Sequence, residues 1–426
     1  MGAKEQNPAK EVKRAGYIDI KGHQIEIRDI FNSLLIIAAF AFYTLTFFVP
    51  KFYGATEDYV GVFIFLILGV MTLVNVNPIK KLKEKDFEFI ALVVLALLVG
   101  INILIVDSGY GCFFIAVNFA IIWYLSGIIR FKKWQIWLVG GMYAAMLVYW
   151  CAFVYTWMFA DYSSFAMNTN TAATFTVFSV LCLFVFIDLI RENHKIFAGL
   201  LTTVAIVKCI QLSLYHRSRG AFIMFGTFLL LRFIVPKSWW SKKAFFIPLM
   251  LFATLGSLLF VAFYVWLGTT GVNFQMPFFY KNIFSGREAI WLEFWNLFKE
   301  KPITGIGTNV TITSFFEFNV HNAMYNILVI HGLPVFALNL FIMYRRLTAN
   351  RVDIVKRPLA LGAMAAVFSV CIESFFDVDM IWANYSLNLL FLLLVMNYGR
   401  GEKEEGEIQK ENAAGLKSAP KEALNE

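Results

Sequence analysis

Charge is the scarcest commodity in this chain. Asp, Glu, Lys and Arg make up 15% of its 426 residues, whereas 59% are apolar; ordinary soluble domains carry about 25% charged and about 45–50% apolar residues. No water-soluble core could hide that much Phe, Leu and Ile, so a soluble globular domain is excluded. Cysteine is sparse too. Cys112, Cys151, Cys182, Cys209 and Cys371 lie in or beside apolar stretches with no C-x-x-C spacing, which argues against a disulfide scaffold or a zinc site and for packed thiols. The first sixteen residues are polar and hold no apolar segment, so they read as an arm and not as a signal peptide. No internal repeat is visible, which counts against a repeat-built transporter. Gly305-Ile306-Gly307 lacks the continuation of a phosphate-binding loop, so nucleotide binding is unsupported.

What is present in abundance is long apolar runs. A helix rises 1.5 Å per residue, so about 20 apolar residues cross a hydrocarbon core of about 30 Å. Twelve runs qualify as candidates: 31–49, 60–76, 87–106, 113–129, 134–160, 171–190, 196–215, 221–236, 244–267, 323–344, 359–375 and 382–398. The expected fold is an all-α polytopic membrane bundle of about twelve transmembrane helices. Most of the 37 Lys and Arg fall in alternate loops, which marks those loops and both termini as cytoplasmic. The formal charge of +8 is therefore a topology signal and implies no nucleic-acid partner. Residues 1–30 form a cytoplasmic arm, in which alternating Ile18, Ile20, Ile25 and Ile27 around Lys21–Gly22 suggest a small hairpin. Residues 31–400 form the bundle, with a long extracytoplasmic loop over 268–321, and 401–426 read as a disordered tail.

The polar residues that topology does not explain collect in the outer loops. Arg217, Arg219 and Arg287 run against the usual charge bias. Ser285-x-x-Glu288 matches a capping box, which puts Arg287 in a first helical turn, where exposed amides and a guanidinium together suit a phosphate. The helix that follows sets Ile290, Trp291, Phe294, Trp295 and Phe298 on one side and Glu293, Asn296, Lys299 and Glu300 on the other, the pattern of an interfacial helix. A lid with Arg287 anchored to lipid headgroups is the plainer reading of the same pattern. Lys208, Gln211, Tyr215 and Arg219 fall on one stripe if the helix continues, and a Lys within a span marks a buried function by default; snorkelling to the interface is the alternative. His321, the sole histidine of the long loop, has a reference pKa near 6.5 that suits a general base. Asp377-Val-Asp379 invites a metal reading, but D-x-D is a weak pattern and no metal is expected.

These residues, in this order, resemble the O-antigen ligase and polysaccharide polymerase family of bacterial membrane glycosyltransferases. Asn168-Thr169-Asn170, with Ala172 and Ala173 after it, is similar to the family's Asn-Pro-Asn motif, without the Pro. Ser218-Arg219-Gly220-Ala221 is similar to its Ser-Arg-Gly step. Ser285-Gly286-Arg287, through Trp291 to Pro302, Gly305 and Gly307, matches its long-loop signature. His321-Asn322, followed by Gly332-Leu333, matches the closing His-Asn motif, and Ser374–Asp377 with Asn384 is similar to the end of the domain. The likeness runs over residues 165–390. It implies a bundle of the C-type glycosyltransferase kind in a bacterial inner membrane, working on its outer face. The donor would be an oligosaccharide on a polyprenyl diphosphate, the acceptor a second glycan or another molecule, with no cofactor or metal. Arg219 and Arg287 would hold the diphosphate and His321 would activate the acceptor hydroxyl. Arg217, Lys208, Tyr215, Asn322, Asn170, Gly305 and Gly307 are the expected substrate-binding residues. A flippase or chain-length regulator would be a natural partner. Polymerase and ligase activities both remain open, and a secondary transporter or a non-catalytic scaffold are the readings from other classes.

Overall fold

The computed structural model describes residues 17–400 except 21–22, 49–51, 53–54, 107, 155–168, 273, 278, 285 and 315–318. The polar arm through residue 16, the tail from 401, Asn168 and the proposed capping Ser285 lie outside the described residues. At the N-terminal end, β1 (Tyr17–Ile20) pairs antiparallel with β2 (His23–Glu26), so that Ile20 faces His23 across the turn.

Among the described residues, each of the twelve apolar runs is largely helical. In chain order they give α1 (Ile27–Phe48), α2 (Val60–Asn75), α3 (Phe87–Val106), α4 (Gly111–Ser126), α5 (Lys133–Tyr149), α6 (Thr169–Asn193) and α7 (Lys195–Tyr215). Then come α8 (Arg219–Leu229), the consecutive α9 (Lys243–Thr254) and α10 (Gly256–Thr269), the short hairpin β3 (Gln275–Met276) and β4 (Lys281–Asn282), α11 (Arg287–Phe298), α12 (Ala323–Arg351), α13 (Pro358–Glu373) and α14 (Ser386–Met396). Six of these helices are long and apolar enough to cross a membrane, or seven if α9 and α10 form one span bent by 51°. The remaining runs are shorter than the expected full crossings, for a physical reason. Helices α13 and α14 are buried along almost their whole length, so they pack among other helices and need not match the thickness of the lipid. The result is an all-α, multi-pass bundle in which α13 and α14 lie side by side at the centre, with α8 and α6 against α13 and α4 against α14.

Buried polar side chains tie this centre together. Tyr143 on α5 donates to Asn388 Oδ1 on α14 at 2.8 Å, and Asn388 Nδ2 donates to Ser179 on α6 at 3.3 Å. In an apolar surrounding each such group needs a partner, because leaving it unpaired costs roughly 1–3 kcal/mol.

Helix α12 is interrupted at Gly332, whose φ of 83° and ψ of 170° are non-helical. Pro334 has no N–H, so Ile330 O has no helical donor; it accepts instead from Gly307 N at 3.1 Å. Ile306 N donates to Val329 O, Leu333 N donates to Pro302 O, and Asn102 Nδ2 donates to His331 O. Residues 302–307 thus plug the break. Only glycine fits: a Cβ at Gly332 would lie 2.0 Å from Ile303 O and one at Gly305 2.2 Å from Ile330 O. Gly332→Ala is expected to destabilise the chain by about 3 kcal/mol or more, since a strained φ and an overpacked contact add together. Thermal unfolding in detergent against the wild type measures it; an unchanged midpoint would contradict this account of the break.

Candidate functional site

One end of the bundle collects the α7–α8 turn, the start of α6, the loop before α11, the start of α12 and the segment joining α13 to α14. A small cavity of about 40 Å³ opens there, lined by Asn170, Thr174, Arg217, Ser218, Arg219, Gly220, Arg287, Glu373, Phe376 and Asp377. Residues from four separate stretches of sequence therefore share one pocket.

The α7–α8 turn is built by local chemistry. Helix α7 stops at Tyr215, and Arg217 takes a left-handed conformation with φ of 52°, which reverses the chain. Ser218, buried and extended, caps α8 by accepting a hydrogen bond from Ala221 N. Arg219 opens that helix, so the amide-rich end of α8 and its positive dipole face the pocket. Gly220 lets Glu373 approach: a Cβ there would come 2.7 Å from Glu373 Oε1. The Arg219 guanidinium donates to the carbonyls of Asn282 and Ile283 at 3.2 and 3.0 Å, and so ties the end of β4 to the start of α8. Arg217 lies over the ring of Tyr280 at 5.5 Å.

Arg287 occupies the first turn of α11, as the loop pattern anticipates. The residue that caps this helix is Gly286, with φ of 84° and no side-chain cap. Ile290, Trp291, Phe294 and Phe298 are buried, while Trp295 stays 49% exposed beside Leu292. Helix α11 is thus clamped inward on one face and offers a Trp outward on another. Trp291 Nε1 donates to Val320 O at 2.6 Å, and Tyr325 OH donates to Trp291 O at 2.9 Å, which fixes α11 against the segment that carries His321.

His321 also has a left-handed backbone, with φ of 51°, a strained conformation that clusters at functional sites. Its Nδ1 is 3.6 Å from Asp377 Oδ1, and Arg287 Nη2 is 3.9 Å from Asp377 Oδ2. One carboxylate therefore stands between the imidazole and the guanidinium. Burial alone would raise the Asp377 pKa, but the His321 and Arg287 side chains outweigh it and hold the group below the usual carboxylate value. Asp379 goes the other way: burial first, and then the charge of Asp377, push it well above. The two acids of the D-x-D pair are separated in protonation by their surroundings. Among the described residues, no cluster of His, Cys, Asp and Glu is arranged to hold a metal ion.

Arg219 feels burial foremost and then the neighbouring Arg287 charge, both of which lower its pKa. Two like charges crowd one half-buried pocket. Glu373, fully buried at the pocket wall, has no hydrogen-bond partner on either carboxyl oxygen. A buried carboxyl group without a hydrogen-bond donor is costly, so Glu373 stands out among the lining residues.

Of the residues expected from the sequence, Arg219, Arg287, Arg217 and Asn170 line this pocket, and His321 adjoins it through Asp377. Others are placed elsewhere. Lys208 is exposed and bonded to Gln211 on the same exposed helix face, and Tyr215 is 70% exposed; the stripe they were to form with Arg219 is broken by the turn at His216–Ser218. Gly305 and Gly307 pack against the break in α12. Asn322 is an anchor: its Oδ1 accepts from Tyr325 N and Ser257 Oγ, and its Nδ2 donates to Phe375 O. With Ala323 N donating to Ser374 O, it pins the His321 segment beside Asp377. Glu373 and Asp377 were not read as pocket residues, although the acidic outer segment 373–379 was the available signal.

Residues 204–340, about a third of the chain, match a family model described as O-antigen ligase. The matched stretch contains Arg217, Arg219, Arg287 and His321. Over that stretch the chain is similar to the O-antigen ligase family. No curated protein matches the chain. The ligase-family stretch ends before Glu373 and Asp377, which reach the site from the central helix α13 and the segment after it. The apolar helices, together with the match to a membrane-associated family, make this a multi-pass membrane protein.

Proposed function

We propose that this chain transfers a glycan from a polyprenyl diphosphate to a sugar hydroxyl, on the face of a bacterial inner membrane opposite the cytoplasm. The observation that carries the reading is the crowding of Arg219 and Arg287 at the start of α8, one carboxylate away from His321. Three arginines line the pocket against Asp377 and Glu373, a cationic lining that suits a diphosphate, and a polyprenyl tail has apolar helix faces to lie on. In the reaction, His321 accepts the proton of the acceptor hydroxyl as its oxygen bonds to the anomeric carbon. The bond from that carbon to the diphosphate breaks, and the departing charge falls to the arginines. Asp377 orients the imidazole, as a carboxylate does for a histidine base, and Glu373 faces the pocket as a partner for a sugar hydroxyl. No step calls for a nucleotide or a metal.

Polymerisation of lipid-linked repeat units is the favoured form, with ligation to a different acceptor as its neighbour. The breaks in α9–α10 and α12 are what a transporter reading asks for. The carbonyls freed in α12 are, however, taken up by residues 302–307 and Asn102, and Lys208 is exposed. The deciding experiment gives purified protein a polyprenyl-diphosphate-linked repeat unit and resolves the glycans by size. A ladder of longer chains supports polymerisation, and a single addition to an offered acceptor supports ligation. Solute uptake into proteoliposomes with no glycan growth would overturn both.

A further inference from the structure

A second, larger cavity of about 610 Å³ lies at the other end of the bundle. Lys81, Lys85, Arg130, Arg345, Arg346 and Arg400 line it. Helix α12 connects the two ends: it starts next to His321 and reaches Arg345 and Arg346 more than twenty residues later, roughly 30 Å away at the rise of a helix.

Two carboxylates stand against these six cations. Asp86 pairs with Lys81 at 2.9 Å. Glu88 is shared between Arg345 at 3.2 Å and Arg346 at 2.5 Å. The lining keeps a surplus of positive charge in a concave, partly desolvated space, where fields are focused. Arg346 shows that the site is built into the fold. Its side chain is 10% exposed and its guanidinium lies 5.6 Å over the Tyr124 ring. Its Nε is buried without a hydrogen-bond partner. Gly127 makes room for it, since a Cβ there would fall 1.8 Å from Arg346 Nη1. Phe87 in the lining is 72% exposed, and Ile79 and Leu82, on the short helix that carries Lys81, are 67% and 52% exposed. Basic pockets bordered by apolar helix surface suit amphiphiles with an anionic head.

We infer that this cavity binds a phosphate-bearing anion, a site separate from the arginine pocket and independent of the reaction proposed there. Phosphate oxygens would complete the donors of the arginines. The ligand is either an anionic phospholipid headgroup, with its acyl chains along Ile79, Leu82 and Phe87, or a soluble phosphate.

The test uses the full chain. In one arm it is equilibrated with vesicles of equal phosphatidylglycerol and phosphatidylcholine, extracted, and weighed by native mass spectrometry. In the other, delipidated protein in detergent is titrated with inorganic phosphate and with pyrophosphate. The double variant Lys85→Gln/Arg345→Gln removes two exposed cations of the lining. Lys83→Gln/Lys195→Gln removes the same charge from exposed positions outside it and serves as the control. Preferential retention of phosphatidylglycerol, reduced about tenfold by the first pair and unchanged by the second, supports a lipid headgroup. Phosphate binding with the same dependence on the two pairs supports the soluble source. Equal behaviour of the two double variants, or no preference for either phosphate ligand, overturns the site. Melting midpoints of both variants confirm that the bundle is intact.

Discussion

Replacing His321 with alanine is expected to cut glycan transfer about 10²–10⁴-fold, the usual contribution of a positioned general base, while the lipid-linked donor still binds. The prediction rests on the imidazole standing 3.6 Å from Asp377 and on the same carboxylate facing Arg287. The backbone adds a complication that a careful test must separate. At φ of 51° an alanine is strained, and that strain costs roughly 1 kcal/mol of stability. Asparagine tolerates the left-handed region several-fold better than most residues, yet it cannot accept the proton of a sugar hydroxyl. The pair His321→Ala and His321→Asn therefore tells chemistry from folding. Both should lose transfer to the same degree, with a higher melting midpoint for the Asn variant. Activity that tracks the midpoint, present in Asn and absent in Ala, would make His321 a structural residue.

How far the site was legible depends on what each residue does. Arg219 and Arg287 could be found because each stands at the start of a helix, where the sequence carries turn and cap signals, and Asn170 through the motif resemblance. Arg217 could be found because it is a cation on the wrong side of the membrane. Lys208 and Tyr215 misled because a stripe was extended through the α7–α8 turn. The helix ends where Arg217 turns left-handed, and no residue in that stretch is a glycine that would have announced it. Gly305 and Gly307 were recognised as places of close backbone approach, but the approaching backbone is that of α12. Pro334 had stripped that helix of a donor, which is a tertiary fact. Glu373 and Asp377 belong to the site through contacts that span 56 to 153 residues in sequence. Composition could mark the acidic stretch as unusual, yet only packing could show that Asp377 faces His321 and that Asp379 is buried apart from it. The helical runs themselves were plain, because apolar length is a direct reading of bilayer thickness. Which runs reach across was not, because a helix buried among others, such as α13, is freed from that constraint.

Arg287→Ala and Arg219→Ala are each expected to lower transfer about 10²–10³-fold, about 3–4 kcal/mol of lost stabilisation for a charge that grows on the leaving diphosphate. Lysine should restore only part of it, because a point charge cannot reproduce the two-pronged contact of a guanidinium with phosphate oxygens. Arg287 also faces Asp377, so its loss could act at second hand by letting that carboxylate swing and the imidazole with it. A double-mutant cycle separates the two routes. If Arg287 serves only to hold Asp377, then Arg287→Ala should change nothing further in an Asp377→Asn background. If it meets the diphosphate directly, most of its effect should persist there. Arg219 supplies the internal comparison, since its guanidinium bonds to the carbonyls of Asn282 and Ile283. The two arginines crowd each other, so removing one relieves repulsion as well as removing attraction. The double variant Arg219→Ala/Arg287→Ala should therefore cost less than the product of the single losses, and a strictly multiplicative result would mean that they act at separate places.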